Sequence, residues 1–322
     1  GTVWARAVAH AAAGWPSNSR TLRSPKEERL MRVRISALAF TLILVLTMSA
    51  SALAADDPVG TAAMMDIGMG ARALGMGGAH IAVADDSAAV YYNPAGLAFM
   101  SERHVGSLYT QQYGAAGFMA AAYAQKHVGV GGLRLDASGI EGTDEFANET
   151  GVFGVSDFTV IVCGGIEALP NLGIGAALKY YSQALPDNPG KGVTGDIGLL
   201  FIAPSKKLRV GAVVKNVGGE LKYSSGYADA FDRSIGAGVA FYPVDRLLLA
   251  ADLIYKDELE TRIGGEFQLG RILIRAGGAF GSKQNSLTAG AGFSASMFTI
   301  DYAYQTHSIL PDSHRLSLGM KF

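Results

Sequence analysis

The sequence predicts an all-β protein, a transmembrane antiparallel β-barrel of about 14 strands with a short N-terminal plug that contains a helix. Three observations lead to this fold class. Segments of about ten residues alternate apolar and polar side chains from residue 103 to the C-terminus, and a strand of that length crosses a bilayer when tilted. Glycine is abundant, with 42 of 322 residues, while only 17% of residues are charged. The N-terminal region also carries the pattern of an export signal.

The composition excludes several other classes. A net charge of −1 lacks the basic surface that a nucleic-acid-binding protein needs, so no nucleic-acid partner is expected. The single cysteine, Cys163, excludes an internal disulfide framework and a cysteine-based zinc site, and its apolar strand context favours simple packing. The high apolar fraction, 49%, excludes a disordered chain.

The N-terminal 54 residues are interpreted as two segments that precede the mature protein. Residues 1–30 lack hydrophobic periodicity and are interpreted as a mis-assigned upstream extension. Residues 31–54 have the basic start, apolar centre and small-residue end of a cleaved signal peptide, with cleavage expected after Ala54. A transmembrane anchor over 35–55 is the alternative, although its apolar core is shorter than the ~20 residues that a spanning helix needs.

Residues 101–322 form the predicted barrel domain. Its last strand alternates strictly, with the apolar side chains of Leu316, Leu318, Met320 and Phe322 on one face and polar or small residues on the other. Fourteen such segments are predicted, and bacterial single-chain barrels have an even number of strands. The predicted spans are 103–113, 115–126, 128–138, 153–167, 172–184, 192–203, 207–217, 231–242, 247–256, 260–269, 272–280, 287–295, 297–306 and 313–322.

A soluble β-sandwich would also alternate apolar and polar residues. The export signal, the number of strands and the terminal aromatic residue favour the barrel, because closure removes the unpaired edges that lipid would penalise. The ending Leu318, Met320 and Phe322 resembles the C-terminal signal by which outer-membrane barrels are recognised for assembly. This resemblance implies the barrel-assembly machinery and outer-membrane lipid as partners.

The polar faces of the strands predict the character of the lumen. Lys and Arg on the lipid face cost ~2–4 kcal/mol at the midplane, so the strand charges are expected to point inward. Both signs are present without a ring of one sign, so an ion-selective pore is not indicated and the charges are expected to pair. The residues concerned are Lys179, Arg209, Lys215, Asp252, Glu260, Arg262, Glu266, Arg275, Asp301, Arg315 and Lys321.

Residues 55–100 differ from the strands and form the predicted plug. Asp85, Asp86 and Ser87 offer N-cap groups for a short helix at about 87–92, and Asn93-Pro94 ends it because the residue before proline disfavours helix. Glycines at 75, 77 and 78 permit a tight turn with close backbone approach. The segment lacks the Gly-Lys-Ser/Thr ending of a phosphate-binding loop.

Three runs in this segment resemble the FadL superfamily of outer-membrane proteins, and more closely its PorV/PorQ branch. They are Arg72 to Ala79, Ala84-Asp85-Asp86, and Tyr92 to Leu97; Glu149 to Gly151 and Ser156-Asp157 add support. The resemblance implies a fourteen-stranded barrel whose N-terminal segment lies in the lumen. Candidate ligand or gating residues carried by these runs are Arg72, Gly75, Gly77, Gly78, Asp85, Asp86, Asn93, Pro94, Ala95 and Gly96.

The resemblance implies one of two functions in the bacterial outer membrane. The first is protein secretion of the type IX kind through binding of protein partners, which the closer match to PorV/PorQ favours. The alternative is passive transport of long-chain fatty acids or other hydrophobic small molecules, which the methionine-rich plug favours because flexible thioethers suit an adaptable apolar site. The predicted loops are short, the longest at 139–152, which argues against a large extracellular platform for cargo and against an elaborate ligand-capture domain.

Enzymatic activity is not expected. The residues His307-Ser308, Asp312 and His314 cluster in one loop and its flanks, but closeness in sequence is not the geometry of a catalytic triad. The histidines at 80, 104 and 127 lack the spacing of metal ligands. The sequence therefore predicts neither a metal nor a cofactor.

Overall fold

The computed structural model describes residues 61–322 except 113, 144, 145, 147, 187, 283, 284 and 309. The predicted upstream extension, 1–30, and signal peptide, 31–54, lie outside the described residues. Within the described part, no helix has the length and apolar character to cross a membrane.

The N-terminal segment forms four short helical elements inside the barrel. Two are 3-10 turns, Ala63–Asp66 and Pro94–Phe99, and two are α-helices, α1 (Ala71–Gly75) and α2 (Ala89–Tyr92). The predicted helix at about 87–92 therefore begins later, at Ala89.

The residues around α2 explain this shift and its C-terminal end. Asp86 accepts a hydrogen bond from the Ala88 amide at 2.8 Å, which holds residues 86–88 in a turn before the helix. The helix ends at Tyr92 as predicted because Asn93, which precedes a proline, is extended with φ −161°. The Asn93 side chain then caps the next turn by accepting from the Ala95 amide.

Residues 104–321 form sixteen antiparallel strands in one sheet. The strands are β1 (His104–Gln112), β2 (Ala116–Gln125), β3 (Val128–Thr143), β4 (Glu149–Leu169), β5 (Leu172–Ala184), β6 (Gly190–Ile202), β7 (Leu208–Lys215), β8 (Glu220–Tyr223), β9 (Ala228–Ala230), β10 (Ser234–Val244), β11 (Leu247–Tyr255), β12 (Leu259–Leu269), β13 (Ile272–Phe280), β14 (Asn285–Ala295), β15 (Phe298–Gln305) and β16 (Ser313–Lys321).

The sheet closes on itself as a barrel with fourteen strand positions. Strands β7 and β8 both pair with β6, one beyond the other, and β9 pairs with β8 while β10 pairs with β7. β7 and β8 therefore occupy one position of the barrel, and β9 and β10 occupy the next. Each of these two positions holds a strand that is interrupted once. The pairs β1–β16 and β5–β6 complete the ring. At the loop end, β9 and the outer parts of β3 and β4 extend beyond the ring and pair on one side only. The prediction of a fourteen-stranded antiparallel barrel is confirmed.

Two predicted loops are wrong in part. The loop at 139–152 consists largely of the ends of β3 and β4, which pair with each other beyond the ends of their other neighbours. Residues 218–230, which separate the predicted strands 207–217 and 231–242, contain β8 and β9. Both hairpins extend beyond the barrel because two paired strands can form backbone hydrogen bonds with each other without packing on a core. Such strands need no apolar face, so the sequence shows no apolar periodicity there.

The two ends of the barrel differ. The turn end carries the tight connections at 126–127, 170–171 and 270–271 together with the C-terminus, and the loop end carries the extended hairpins. In outer-membrane barrels the short turns face the periplasm and the longer loops face outward.

The strand faces separate apolar from charged side chains. Outward positions carry exposed Val, Leu, Ile, Phe and Tyr, a surface suited to hydrocarbon. Most predicted lumen charges point inward, and buried examples are Lys179, Asp252, Arg275, Asp301 and Arg315. Lys321 differs because it lies at the turn end, where its side chain is 47% exposed.

Candidate functional site in the barrel lumen

The Tyr92–Leu97 run fixes the plug to the β4–β6 wall. The Asn93 side-chain amide donates to the carbonyls of Ile81 at 2.9 Å and Leu199 at 3.0 Å. The backbone of Pro94 and Ala95 lies directly against Gly175, where a Cβ atom would collide with it. Gly96 packs on Ala84 within the plug.

The glycines at 75, 77 and 78 fix the plug to the opposite wall. Gly75 lies against Gly290 of β14, and a Cβ on Gly77 would sit 2.6 Å from the backbone nitrogen and oxygen of Gly278. Gly77 also has φ +67°, which disfavours other residues. Its amide donates to Thr288 Oγ1 at 2.9 Å. At Gly75 and Gly77 the plug backbone therefore meets the wall backbone directly, whereas Gly78 lies against the side chain of Arg262.

Arg72, the first residue of the first motif run, is held by three carboxylates. Its Nη1 donates to Asp85 Oδ1 at 2.7 Å and to Asp86 Oδ2 at 2.9 Å, while Nε donates to Glu266 Oε2 at 2.9 Å. The same Glu266 oxygen accepts from Arg275 Nε at 2.7 Å. The predicted candidates Arg72, Asp85 and Asp86 therefore lie together, in a partly buried network that joins the plug to β12 and β13.

The network also sets the ionisation of its plug members. Burial opposes the charge of Arg72, but the carboxylates of Asp85, Glu266 and Asp86 outweigh it and raise its pKa well above the ordinary value. Burial likewise opposes ionisation of Asp86, but its contacts with His80 and Arg72 hold its pKa well below the ordinary value. The ion pairs are therefore fully formed at neutral pH.

The plug also brings together the one set of described side chains placed to share a metal ion. Ligand atoms of His80, Asp85 and Asp86 lie within 4.8 Å of one another. Both carboxylates already accept hydrogen bonds from Arg72, whose positive charge opposes a bound cation. The cluster is therefore better suited to hold the plug than to hold a metal.

A loop-end cavity of about 490 Å³ lies above the plug. Its apolar lining includes Met64, Ile67, Leu74 and Leu135. The guanidinium of Arg262 also reaches it, with Nε donating to Glu260 at 2.5 Å. Polar side chains line the rest of the cavity, among them Gln112, Gln305 and Arg315. Apolar surface combined with placed polar groups is typical of small-molecule sites.

A turn-end cavity of about 330 Å³ lies below the plug and contains the Arg72 network. The partition between the cavities is thin, because Gly68 lines the loop-end cavity while Met69 and Gly70 line the turn-end cavity. Both glycines have positive φ, +101° and +82°. Met69 between them is buried.

Several residues at this site were not singled out from the sequence. Glu266, Arg275 and Arg262 were predicted only to face the lumen, and the structure shows that they hold or flank the plug. Tyr92 packs edge-on against His80, 5.1 Å between ring centres, and lines the loop-end cavity. Alternation along a strand identifies an inward position but cannot identify its partner on the plug.

The histidines and Asp312 that cluster in sequence lie in and beside the loop between β15 and β16, and Cys163 packs within the wall. Tyr302 and His314 share a 2.6 Å hydrogen bond on the exposed surface, and Asp312 accepts from Tyr304 and from the His307 amide. Cys163 is buried in β4, as predicted, and its thiol donates to the Gly129 carbonyl at 3.5 Å.

The C-terminal residues complete the ring. The Phe322 amide donates to the Arg103 carbonyl at 3.1 Å, and the Arg103 amide donates to the Phe322 carbonyl at 2.9 Å. Phe322 and Leu318 are about half exposed, and Met320 is partly exposed.

Comparison with known proteins shows similarity in structure alone. No protein-family model matches the chain, and no curated protein matches it by sequence. A crystal structure of the Pseudomonas putida toluene transporter TodX matches with a TM-score of 0.55 and 15% identity over 79% of this chain and 97% of that chain. A Pseudomonas aeruginosa FadL homologue matches with a TM-score of 0.53 and 12% identity over 76% and 95%. The chain therefore has the fold of FadL-type barrels.

Proposed function

We propose that this chain is an outer-membrane barrel that lets hydrophobic small molecules cross passively through its plugged lumen. The observation that carries this proposal is the loop-end cavity, about 490 Å³, which lies between the apolar face of the plug and the barrel wall. The similarity to a toluene transporter and to a FadL homologue supports transport. The sequence favoured protein secretion, and these similarities favour its alternative, transport.

The lining of the loop-end cavity suits a molecule with an apolar body. Met64 is flexible and polarisable, so it adapts to ligands of different shape, and Leu74 and Leu135 add apolar area. Arg262 bonds to Glu260 through Nε, and its two Nη atoms have no hydrogen-bond partner among the described residues. These Nη atoms can therefore donate hydrogen bonds to an oxygen atom of an amphipathic ligand, for example to its carboxylate group.

Passage toward the turn end requires movement of the partition. Gly68 and Gly70 flank Met69, and both glycines occupy a backbone region open to few other residues. We infer that Met69 is the barrier and that these glycines allow it to move. The motif residues Arg72 and Asn93 then act as anchors that keep the rest of the plug in place.

Binding in the cavity can be tested with a matched pair of variants on β13. Ala279 lines the loop-end cavity, whereas Ala276 on the same strand is exposed on the outer surface. Ala279→Trp fills the cavity and should abolish binding of N-phenyl-1-naphthylamine, a dye that fluoresces in apolar surroundings, to the purified protein. Ala276→Trp should bind as the wild type does. Equal binding by both variants would place the dye elsewhere and contradict the proposal.

The secretion hypothesis rests on the resemblance of the plug motifs to the PorV/PorQ branch. It predicts a protein partner in native membranes, and the transport hypothesis does not. Cross-linking in the native membrane followed by mass spectrometry separates the two. Capture of secretion subunits or exported cargo would establish secretion, whereas a bound hydrophobic compound without a protein partner would support transport.

A further inference from the structure

A third cavity lies on the outer face of the barrel wall, away from the lumen. It is a groove of about 490 Å³ across β1, β2 and β3. Its floor consists of small outward-facing residues, Ser107, Ala121 and Gly132, and its sides consist of large ones. We call it the wall groove. The large side chains are Tyr109, Met119, Phe158, Leu316 and Leu318.

A charged residue stands at one end of this apolar groove. Arg134 lines the groove, and its side chain is 55% exposed on the outer face of β3. Its direct cross-strand neighbours, Met119 and Phe158, are apolar. An outward-facing Arg among such neighbours is costly in a bilayer unless its charge reaches a polar group.

The next row of residues toward the loop end is polar or small. Asp136 pairs across the strands with Gly117 and Ser156, and Gly117 pairs with Gln111. The apolar band of the wall therefore ends at this row. Arg134 thus lies one row inside the boundary, at the depth where lipid headgroups meet acyl chains.

The guanidinium keeps an unused edge. Nε and Nη2 of Arg134 donate to the two carboxylate oxygens of Asp136 at 2.7 Å and 3.0 Å, and Ser156 Oγ donates to Asp136 at 2.8 Å. Within the described part of the chain, Nη1 of Arg134 has no hydrogen-bond partner. A guanidinium edge is well shaped to bind a phosphate oxygen.

We propose that the wall groove and Arg134 form a binding site for a phosphorylated lipid of the surrounding membrane. One acyl chain lies over Ser107, Ala121 and Gly132, and the phosphate binds Nη1 of Arg134. The occupant is a lipid because the groove opens on the surface that contacts the bilayer. The phosphate follows from the geometry of Arg134, because Asp136 occupies Nε and Nη2 and leaves Nη1 to donate a charge-assisted hydrogen bond that a lipid without a phosphate would not accept. This proposal rests on the membrane location of the chain and is independent of the proposed transport function.

The two members of the Arg134–Asp136 ion pair should affect phosphate binding in opposite directions. Its carboxylate occupies two donors of Arg134 and repels a phosphate. Asp136→Asn should therefore tighten phosphate binding, because it removes the repulsion and weakens the competing ion pair. Arg134→Gln should weaken binding by about tenfold or more, since it removes a charge-assisted hydrogen bond. A purely structural ion pair would not produce opposite effects from its two members.

The test measures retention of lipid by the purified protein in mild detergent with native mass spectrometry. The probes are dioleoyl phosphatidic acid and dioleoylglycerol, which share acyl chains and differ in the phosphate. Lys191→Gln is the control, because Lys191 is an exposed charge on β6 away from the groove. Ala121→Trp fills the groove floor, and a heat-dependent shift on gels confirms that each variant is folded.

The wild type should retain one phosphatidic acid and little dioleoylglycerol. Retention should fall in Arg134→Gln and Ala121→Trp, rise in Asp136→Asn and stay constant in Lys191→Gln. Equal loss in Lys191→Gln would indicate a general charge effect and overturn the proposal. Equal retention of dioleoylglycerol, or wild-type retention by Arg134→Gln, would also overturn it.

Discussion

Replacement of Glu266 by Gln should release the first half of the plug from the barrel wall. Glu266 accepts from Arg72 Nε at 2.9 Å, from Arg72 Nη2 at 3.0 Å and from Arg275 Nε at 2.7 Å. Glutamine keeps the shape of the side chain but lacks its negative charge. Its amide NH2 group would also face an N–H donor of Arg72 or Arg275. Breaking a buried ion pair costs about 3–5 kcal/mol. We expect a cost at the lower end of this range, because Asp85 and Asp86 still bind Arg72 and Asp301 still binds Arg275.

The assay is amide hydrogen exchange followed by mass spectrometry. A cost of about 3 kcal/mol corresponds to roughly a hundredfold faster local opening. Peptides covering 71–80 should show this faster exchange, because the amides of Ala71 and Gly77 donate hydrogen bonds to the hydroxyls of Ser317 and Thr288 in the barrel wall. Peptides from β3 should exchange as in the wild type. Glu260→Gln, which loses a partly exposed pair with Arg262, should have a much smaller effect. Unchanged exchange of 71–80 in Glu266→Gln would refute the anchoring role of the network.

Three further predictions concern the plug. The pKa of Asp86 lies below its ordinary value of 3.8, so plug docking should be constant above that pH and weaken as the pH falls through the folded-state pKa. Exchange of 71–80 in Asp86→Asn should depend less steeply on pH, and a part should remain because the pKa of Asp85, which also pairs with Arg72, is lowered as well. Gly77→Ala should destabilise the protein by about 1–3 kcal/mol in urea unfolding, because its Cβ meets the Gly278 backbone. Lys256→Gln should hasten exchange at 63–68, because Lys256 holds Asp66 at 2.8 Å, but only modestly, since Asp66 is half exposed.

The strand positions were predictable from sequence because each barrel strand has one face in lipid and one in the lumen. Period-two alternation marks this arrangement directly, and β5 and β13 are found at their predicted bounds, 172–184 and 272–280. The hairpin ends at 139–152 and 218–230 were not predicted as strands. Both faces of these ends lie outside the apolar band, so the alternation that identifies the other strands is missing.

The candidate site was predicted in part. The plug and the residues Arg72, Asp85 and Asp86 were identified through resemblance, but the partners of Arg72 were not. Glu266 is 194 residues away in sequence, and only the closed barrel brings it to the plug. Gly-x-Gly pairs in the strands, such as those containing Gly175 and Gly290, indicate positions where backbones crowd or bend, but they do not indicate that the plug is the partner. Their role follows from backbone contacts that no local pattern encodes.

Uptake by intact cells tests the central claim most directly, because hydrophobic molecules cross bare lipid bilayers unaided and the measurement needs a complete outer membrane. Cells that display the wild-type barrel should take up radiolabelled toluene or oleate faster than cells that display Ala279→Trp at the same surface level. Ala276→Trp should match the wild type, and uptake of a polar sugar should be the same in all strains. Equal uptake of the hydrophobic tracers by wild-type and Ala279→Trp cells would contradict passage through the lumen.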